Sequence, residues 1–122
     1  MSFKFETLDI WKLALELVDE VYKLTRKFPQ DERFELTSQT RRSASSVPAN
    51  IAEGSGGSSV KDFQNYLDIA IKSIYETVSH LALARRRGYI NESKYTEQKN
   101  KAEALIRKIK AFKGWLTKRE RF

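Results

Sequence analysis

Thr37-Ser-Gln-Thr-Arg-Arg-Ser-Ala-Ser-Ser-Val-Pro-Ala-Asn-Ile-Ala-Glu-Gly54 is the stretch that decides how this chain folds. It reads as a helix built largely of small residues, with Arg41 and Arg42 adjacent, Pro48 inside it and Gly54 at its end. Small side chains bury little apolar area, so they make a poor core alone, but they let a second helix come close. Proline has no N–H to offer the carbonyl four residues back, at Ala44, and its ring crowds that carbonyl. A kink or break is therefore predicted at Pro48.

Upstream, Leu8, Trp11, Leu15, Val18, Tyr22 and Thr25 recur at spacings of three and four. Ile10, Ala14, Leu17, Val21, Leu24 and Phe28 form a second stripe beside them. Two stripes predict a first helix over residues 8–27 with an apolar face wide enough for more than one neighbour. Phe28-Pro29 breaks it, because proline disfavours a helical conformation in the residue before it. A second helix is predicted over 32–52, with Phe34, Leu36, Val47 and Ile51 as its larger apolar residues.

Downstream, Gly54-Ser-Gly-Gly-Ser-Ser59 reads as a flexible loop, with Ser59 and Asp62 resembling a capping box. A third helix is predicted over 60–87 from Val60, Phe63, Leu67, Ala70, Ile74, Val78 and Leu81, ending at Gly88. A fourth begins after Asn91, a suitable N-cap, with Tyr95, Gln98, Ala102, Leu105, Ile109, Phe112 and Leu116 on one face. No stretch alternates as a strand does. The pattern predicts an all-α, up-down-up-down four-helix bundle with a proline-kinked second helix, one domain over residues 1–122.

The chain has no cysteine, which excludes disulfides and thiolate metal sites and is compatible with a cytoplasmic location. The N-terminus has no apolar signal region, and no apolar run is long enough for a membrane span. The formal net charge of +7 is unevenly placed. Residues 1–60 hold 8 Lys/Arg and 9 Asp/Glu, a net of −1, whereas residues 61–122 hold 15 and 7, a net of +8. Such asymmetry points to a polyanionic partner, against the plainer reading of a solvated lysine-rich surface.

Two arginine groups are candidates for phosphate contact. Arg41 and Arg42 could clamp a phosphate, since a guanidinium donates two parallel hydrogen bonds to it. The competing reading pairs one or both with acids on a neighbouring helix or subunit. Arg85, Arg86 and Arg87, with Lys108, Lys110 and Lys113 of the fourth helix, have the charge density that backbone contacts need. Tyr89, Tyr95 and Trp115 lie among these charges and could stack on unpaired bases, although helically spaced aromatics more often pack in a core, Trp115 above all.

Enzymatic chemistry finds no support. His80 is the single histidine, and a di-metal bundle would want Glu-x-x-His pairs on two helices. The Gly54–Ser59 loop lacks the Gly-Lys-Ser/Thr of a phosphate-binding loop. Asn50 and Glu53 are read as capping and packing the end of the second helix. The chain is thus read as a non-enzyme without metal or cofactor.

Phe5-Glu-Thr-Leu-Asp-Ile-Trp-Lys-Leu-Ala14 resembles the opening of the four-helix-bundle proteins encoded in intervening sequences of bacterial 23S ribosomal RNA genes. Residues 36–54 resemble that family's most distinctive motif, including Val47, Pro48, Asn50, Ile51, Glu53 and Gly54. Lys61-Asp-Phe-Gln-Asn-Tyr-Leu-Asp-Ile-Ala70 and Gly88-Tyr-Ile90 continue the match. The resemblance implies a closed bundle and a ring-shaped homo-oligomer, a pentamer. The accessory variability proteins of diversity-generating retroelements are related, and they resemble basic barrels that bind nucleic acid and a reverse transcriptase. That branch generally lacks the Val47–Gly54 motif, so no reverse-transcriptase partner is carried over.

The resulting expectation is a non-enzymatic, oligomeric bundle that contacts RNA or DNA backbone through basic surfaces. The alternative is a protein-interaction scaffold whose small-residue second helix mediates subunit or partner contacts.

Overall fold

In a computed structural model, which describes residues 1–120, the apolar periodicity becomes four α-helices: α1 (Asp9–Thr25), α2 (Leu36–Ser55), α3 (Val60–Arg86) and α4 (Glu92–Glu120). Short 3-10 turns at Lys4–Thr7 and Gln30–Glu32 precede α1 and α2. Each helix packs on its sequence neighbours and α4 closes on α1, which is the up-down-up-down bundle. The core is formed by the stripe Ile10, Ala14, Leu17 and Val21 of α1, with Val47 and Ile51 of α2, Leu67 and Ile74 of α3, and Leu105 and Ile109 of α4. The other α1 stripe is only partly covered, and Leu15 and Tyr22 are each 37% exposed. Among the described residues no helix is long and apolar enough to cross a membrane.

The α2–α3 seam is the most extensive contact and explains the small residues. Ser43 Oγ and Thr77 Oγ1 lie 2.8 Å apart, and Ser46 Oγ and Ser73 Oγ 2.9 Å apart. Positions rise along α2 as they fall along α3, as antiparallel helices require. At the far end of the seam, a Cβ on Gly54 would lie 2.7 Å from Tyr66 Cβ and 2.9 Å from Phe63 Cδ1. Only glycine fits so close an approach. The small residues on this side of α2, Ser43, Ser46 and Gly54, therefore serve a contact inside the bundle.

Several sequence expectations change here. No break occurs at Pro48: the helix runs unbroken from Leu36 to Ser55, with Pro48 buried. One backbone bond is lost, but Asn50 Nδ2 donates to Ser46 O and Ser46 Oγ, both at 2.8 Å, and the Ser46–Ser73 pair ties that turn to α3. Gly54 is not the stop either. It and Ser55 remain helical and buried, and Gly56 is the C-cap. At the other end α2 starts four residues later than predicted. The 3-10 turn after Pro29 takes up the chain, and Phe34 lies outside α2, 81% exposed.

The remaining helix ends follow their local chemistry. Ser59 Oγ accepts from Asp62 N at 3.0 Å and Asn91 Oδ1 from Lys94 N at 2.8 Å, so both are side-chain caps. Gly88 has φ +79°. Tyr89 N donates to Ala84 O and Gly88 N to Arg85 O, both at 2.9 Å, which closes α3 in a Schellman motif. Tyr89 then packs on Phe28, ring centroids 5.4 Å apart, and its hydroxyl donates to Glu32 Oε2 at 2.7 Å. The α3–α4 turn is thereby fastened to the α1–α2 connection at one end of the bundle.

Candidate nucleic-acid interface

Antiparallel packing places the start of α2 beside the end of α3, so Arg41 and Arg42 share an end of the bundle with Arg85, Arg86 and Arg87. Lys108, Lys110 and Lys113 do not join them. At 1.5 Å per residue they lie roughly 25–30 Å along α4 from its start. The basic residues picked from sequence thus form two groups at different heights of the bundle.

Their side chains also differ in how much they are already engaged. Arg85 pairs with Glu92, Nη1 to Oε1 at 3.2 Å, and lies over the Tyr95 ring at 3.9 Å from its centroid. It fastens α3 to α4, and Tyr95, which is buried beneath it, offers no free face for a base. Lys113 is bound to Asp68. Arg42, Arg86, Arg87, Lys108 and Lys110 are exposed and form no ion pair among the described residues. Trp115, read from sequence as core or subunit packing, is 47% exposed, with its ring between Phe112 and Arg119. Tyr89 is held by Phe28 and Glu32. That carboxylate and partial burial raise the phenol above its ordinary value. At the opposite end of the α2–α3 seam, the charge of Glu53 raises the Tyr66 phenol in the same sense.

Neither Arg41 nor Arg42 pairs with an acid on a neighbouring helix among the described residues. Both border an open pocket of about 390 Å³ at the start of α2, where Arg33 is the third arginine. Three hydroxyl residues, Thr37, Ser38 and Ser45, and two aromatic ones, Tyr22 and Phe34, complete its wall, and no carboxylate belongs to it. Ser38, Arg41, Arg42 and Ser45 fall on one helical face by their three/four spacing. Arg41 is held in place: its guanidinium lies 4.5 Å from the Tyr22 ring centroid, and Nε donates to Thr25 Oγ1 at 2.8 Å. Thr25, 2% exposed, donates its own hydroxyl hydrogen bond to Val21 O at 2.7 Å. The two terminal amino groups of Arg41 make no hydrogen bond among the described residues. Guanidinium groups and hydroxyls with no acid beside them suit a phosphate.

The sequence pattern places Arg33 and Phe34 inside the second helix, with Phe34 among its larger apolar residues, and so does not mark either as a site residue. Leu36 lies on the buried face, and a residue two positions before it would point roughly 200° away. That mismatch was a usable signal.

Among the described residues, no three of His, Cys, Asp and Glu gather to hold a metal ion, and His80 Nε2 sits 3.2 Å from Glu76 Oε2 on its own helix. Of the motif residues, Val47, Pro48, Ile51 and Gly54 are buried in the bundle, Asn50 bonds back to Ser46, and Glu53 accepts a long 3.4 Å bond from the Tyr66 hydroxyl.

No curated protein matches the chain. The crystal structure of a protein of unknown function from the S23 ribosomal protein family of Bacteroides thetaiotaomicron VPI-5482 is similar. It is 28% identical with a TM-score of 0.77, and the match covers 84% of this chain and 96% of that one. The 23S rRNA-intervening sequence protein family matches residues 6–111, from the turn before α1 to the last third of α4. By that match, this chain belongs to the 23S rRNA-intervening sequence protein family.

Proposed function

We propose that this protein is a non-catalytic nucleic-acid-binding bundle that contacts RNA or DNA backbone through the arginine-rich end. The observation that supports this reading most is the collection, at one end, of arginines from two separate segments of chain, with Arg42, Arg86 and Arg87 left without an acid among the described residues. Unpaired exposed arginines suit contacts that release counterions from a polyanion. They carry charge and geometry but little base information, so backbone binding without strong sequence preference is the form proposed.

Homo-oligomerisation belongs to the same proposal, with the five-membered ring that the resemblance implies. It draws support from the half-covered apolar side chains Leu15 on α1, Ile69 on α3 and Trp115 on α4. A ring would repeat the arginine end around its axis and turn weak contacts into one avid one. The cytoplasm is the compartment proposed, in keeping with a chain without cysteine.

The test is a combined Arg42→Ala, Arg86→Ala and Arg87→Ala variant of the full chain, titrated against structured RNA and duplex DNA. Affinity is expected to fall at least about tenfold and the salt dependence to flatten, with the thermal melt unchanged. Unchanged affinity at matched salt would contradict the proposed interface.

A further inference from the structure

We infer that the pocket at the start of α2 is a subsite for one unpaired nucleotide of a single-stranded RNA or DNA segment. Arg41 and Arg42 would hold its phosphate and Phe34 would stack on its base. This deepens the nucleic-acid reading and rests on it.

The chemistry of the wall narrows the occupant. Three arginines and three hydroxyl residues, with no carboxylate, call for an anion. Arg41 is already oriented by Thr25 and the Tyr22 ring, so less side-chain freedom is lost when an anion arrives. The volume of about 390 Å³ falls within the roughly 300–1,000 Å³ typical of small-ligand sites.

Phe34 distinguishes a nucleotide from a bare phosphate. It is 81% exposed, outside the buried apolar clusters, and its ring has the Arg33 guanidinium 5.4 Å from the centroid. An exposed ring beside clustered cations is the arrangement that single-strand binders use to stack bases while the charges follow the backbone. In a duplex the base faces are covered by their neighbours, so Phe34 could not engage them. No aliphatic side chain lines the pocket, so an apolar peptide would find only the two rings to pack on. That favours a nucleotide over a protein segment.

The experiment uses the full chain and two labelled probes, an unstructured oligouridine and an RNA hairpin duplex of similar phosphate number whose strands are joined by a linker without bases. Oligomer mass is measured in the same buffer. Phe34→Ala should weaken oligouridine binding about tenfold, the size of one stacked base, with its salt slope unchanged. Hairpin binding should change little, and Phe34→Trp should retain the wild-type affinity. Equal loss on both probes, or no loss on oligouridine while the arginine variant still loses binding, would overturn the stacking subsite and leave the general reading standing. A shift of Phe34→Ala to a lower oligomer mass would overturn it too, because Phe34 would then be covering a second copy. If the wild-type protein binds neither probe, the general reading itself fails.

Discussion

Arg41 shows how one side chain is positioned by a chain of neighbours on another helix. Its Nε is fixed by Thr25, and Thr25 is fixed by the Val21 carbonyl. Thr25→Val keeps the shape and the net charge but removes the acceptor. It should weaken single-stranded RNA binding roughly fivefold, about 1 kcal/mol of lost orientation, with little change in salt slope or urea midpoint. Thr25→Ser, which keeps the hydroxyl, should restore most of the affinity. A loss of stability equal to the loss of affinity would mark Thr25 as merely structural. Tyr89 makes a second residue-scale prediction, about pH. Its phenol is raised above the usual value near 10, first by the hydrogen bond it donates to Glu32. The folded state therefore holds the proton more tightly than the unfolded one. The stabilisation is fully present below pH 10 or so and is lost as pH climbs through the raised value. Tyr89→Phe should lower the urea midpoint at pH 8, and the gap to wild type should close in strong alkali. At this scale the sequence was partly legible. Arg41 and Arg42 stand out as adjacent arginines, whereas the anchors of Arg41 on α1, Thr25 and Tyr22, do not. Thr25 falls in an apolar stripe of the first helix, and its bond to Arg41 is a contact across 16 residues of chain.

Among the elements, α2 departs most from what its composition suggests. Pro48 and the run of small residues look like a weak helix, yet the helix is continuous because α3 packs tightly along it and hydroxyl pairs bridge the two. The tightest point is Gly54. Gly54→Ala would gain about 1 kcal/mol of helix propensity. It would also force a Cβ to within 2.7 Å of Tyr66 Cβ, which cannot swing away as a side-chain tip can. Overpacking of this kind costs roughly 1–3 kcal/mol, so a net destabilisation of about 1 kcal/mol is expected in urea denaturation. A more stable variant would show that α2 and α3 separate easily. Periodicity and caps made the four helices readable, including Ser59, Gly88 and Asn91 as their punctuation. The ends of α2 were less readable. At its start the 3-10 turn competes with the helix, and at its end glycine serves close packing rather than termination.

Across the whole molecule, antiparallel packing changes what the charge distribution means. Along the sequence the excess of +8 lies in residues 61–122. In the fold, the exposed arginines at the end of α3 lie toward the same end of the bundle as Arg33, Arg41 and Arg42 from the other half, while Lys108, Lys110 and Lys113 lie farther along α4. Composition alone could not show this, because it depends on contacts between the two halves: the Tyr89–Glu32 bond, the α2–α3 seam and the apolar cluster of Leu24, Phe28 and Leu36 with Leu81, Ala84 and Ile90. The most direct measurement of the central claim is the affinity of this chain for single-stranded RNA over a series of potassium chloride concentrations. The proposed interface predicts tight binding at low salt and a log–log slope of about −2 or steeper, from at least three phosphates at roughly −0.7 each. A slope near zero, or no binding below physiological salt, would contradict it and leave the arginines as solvated charge.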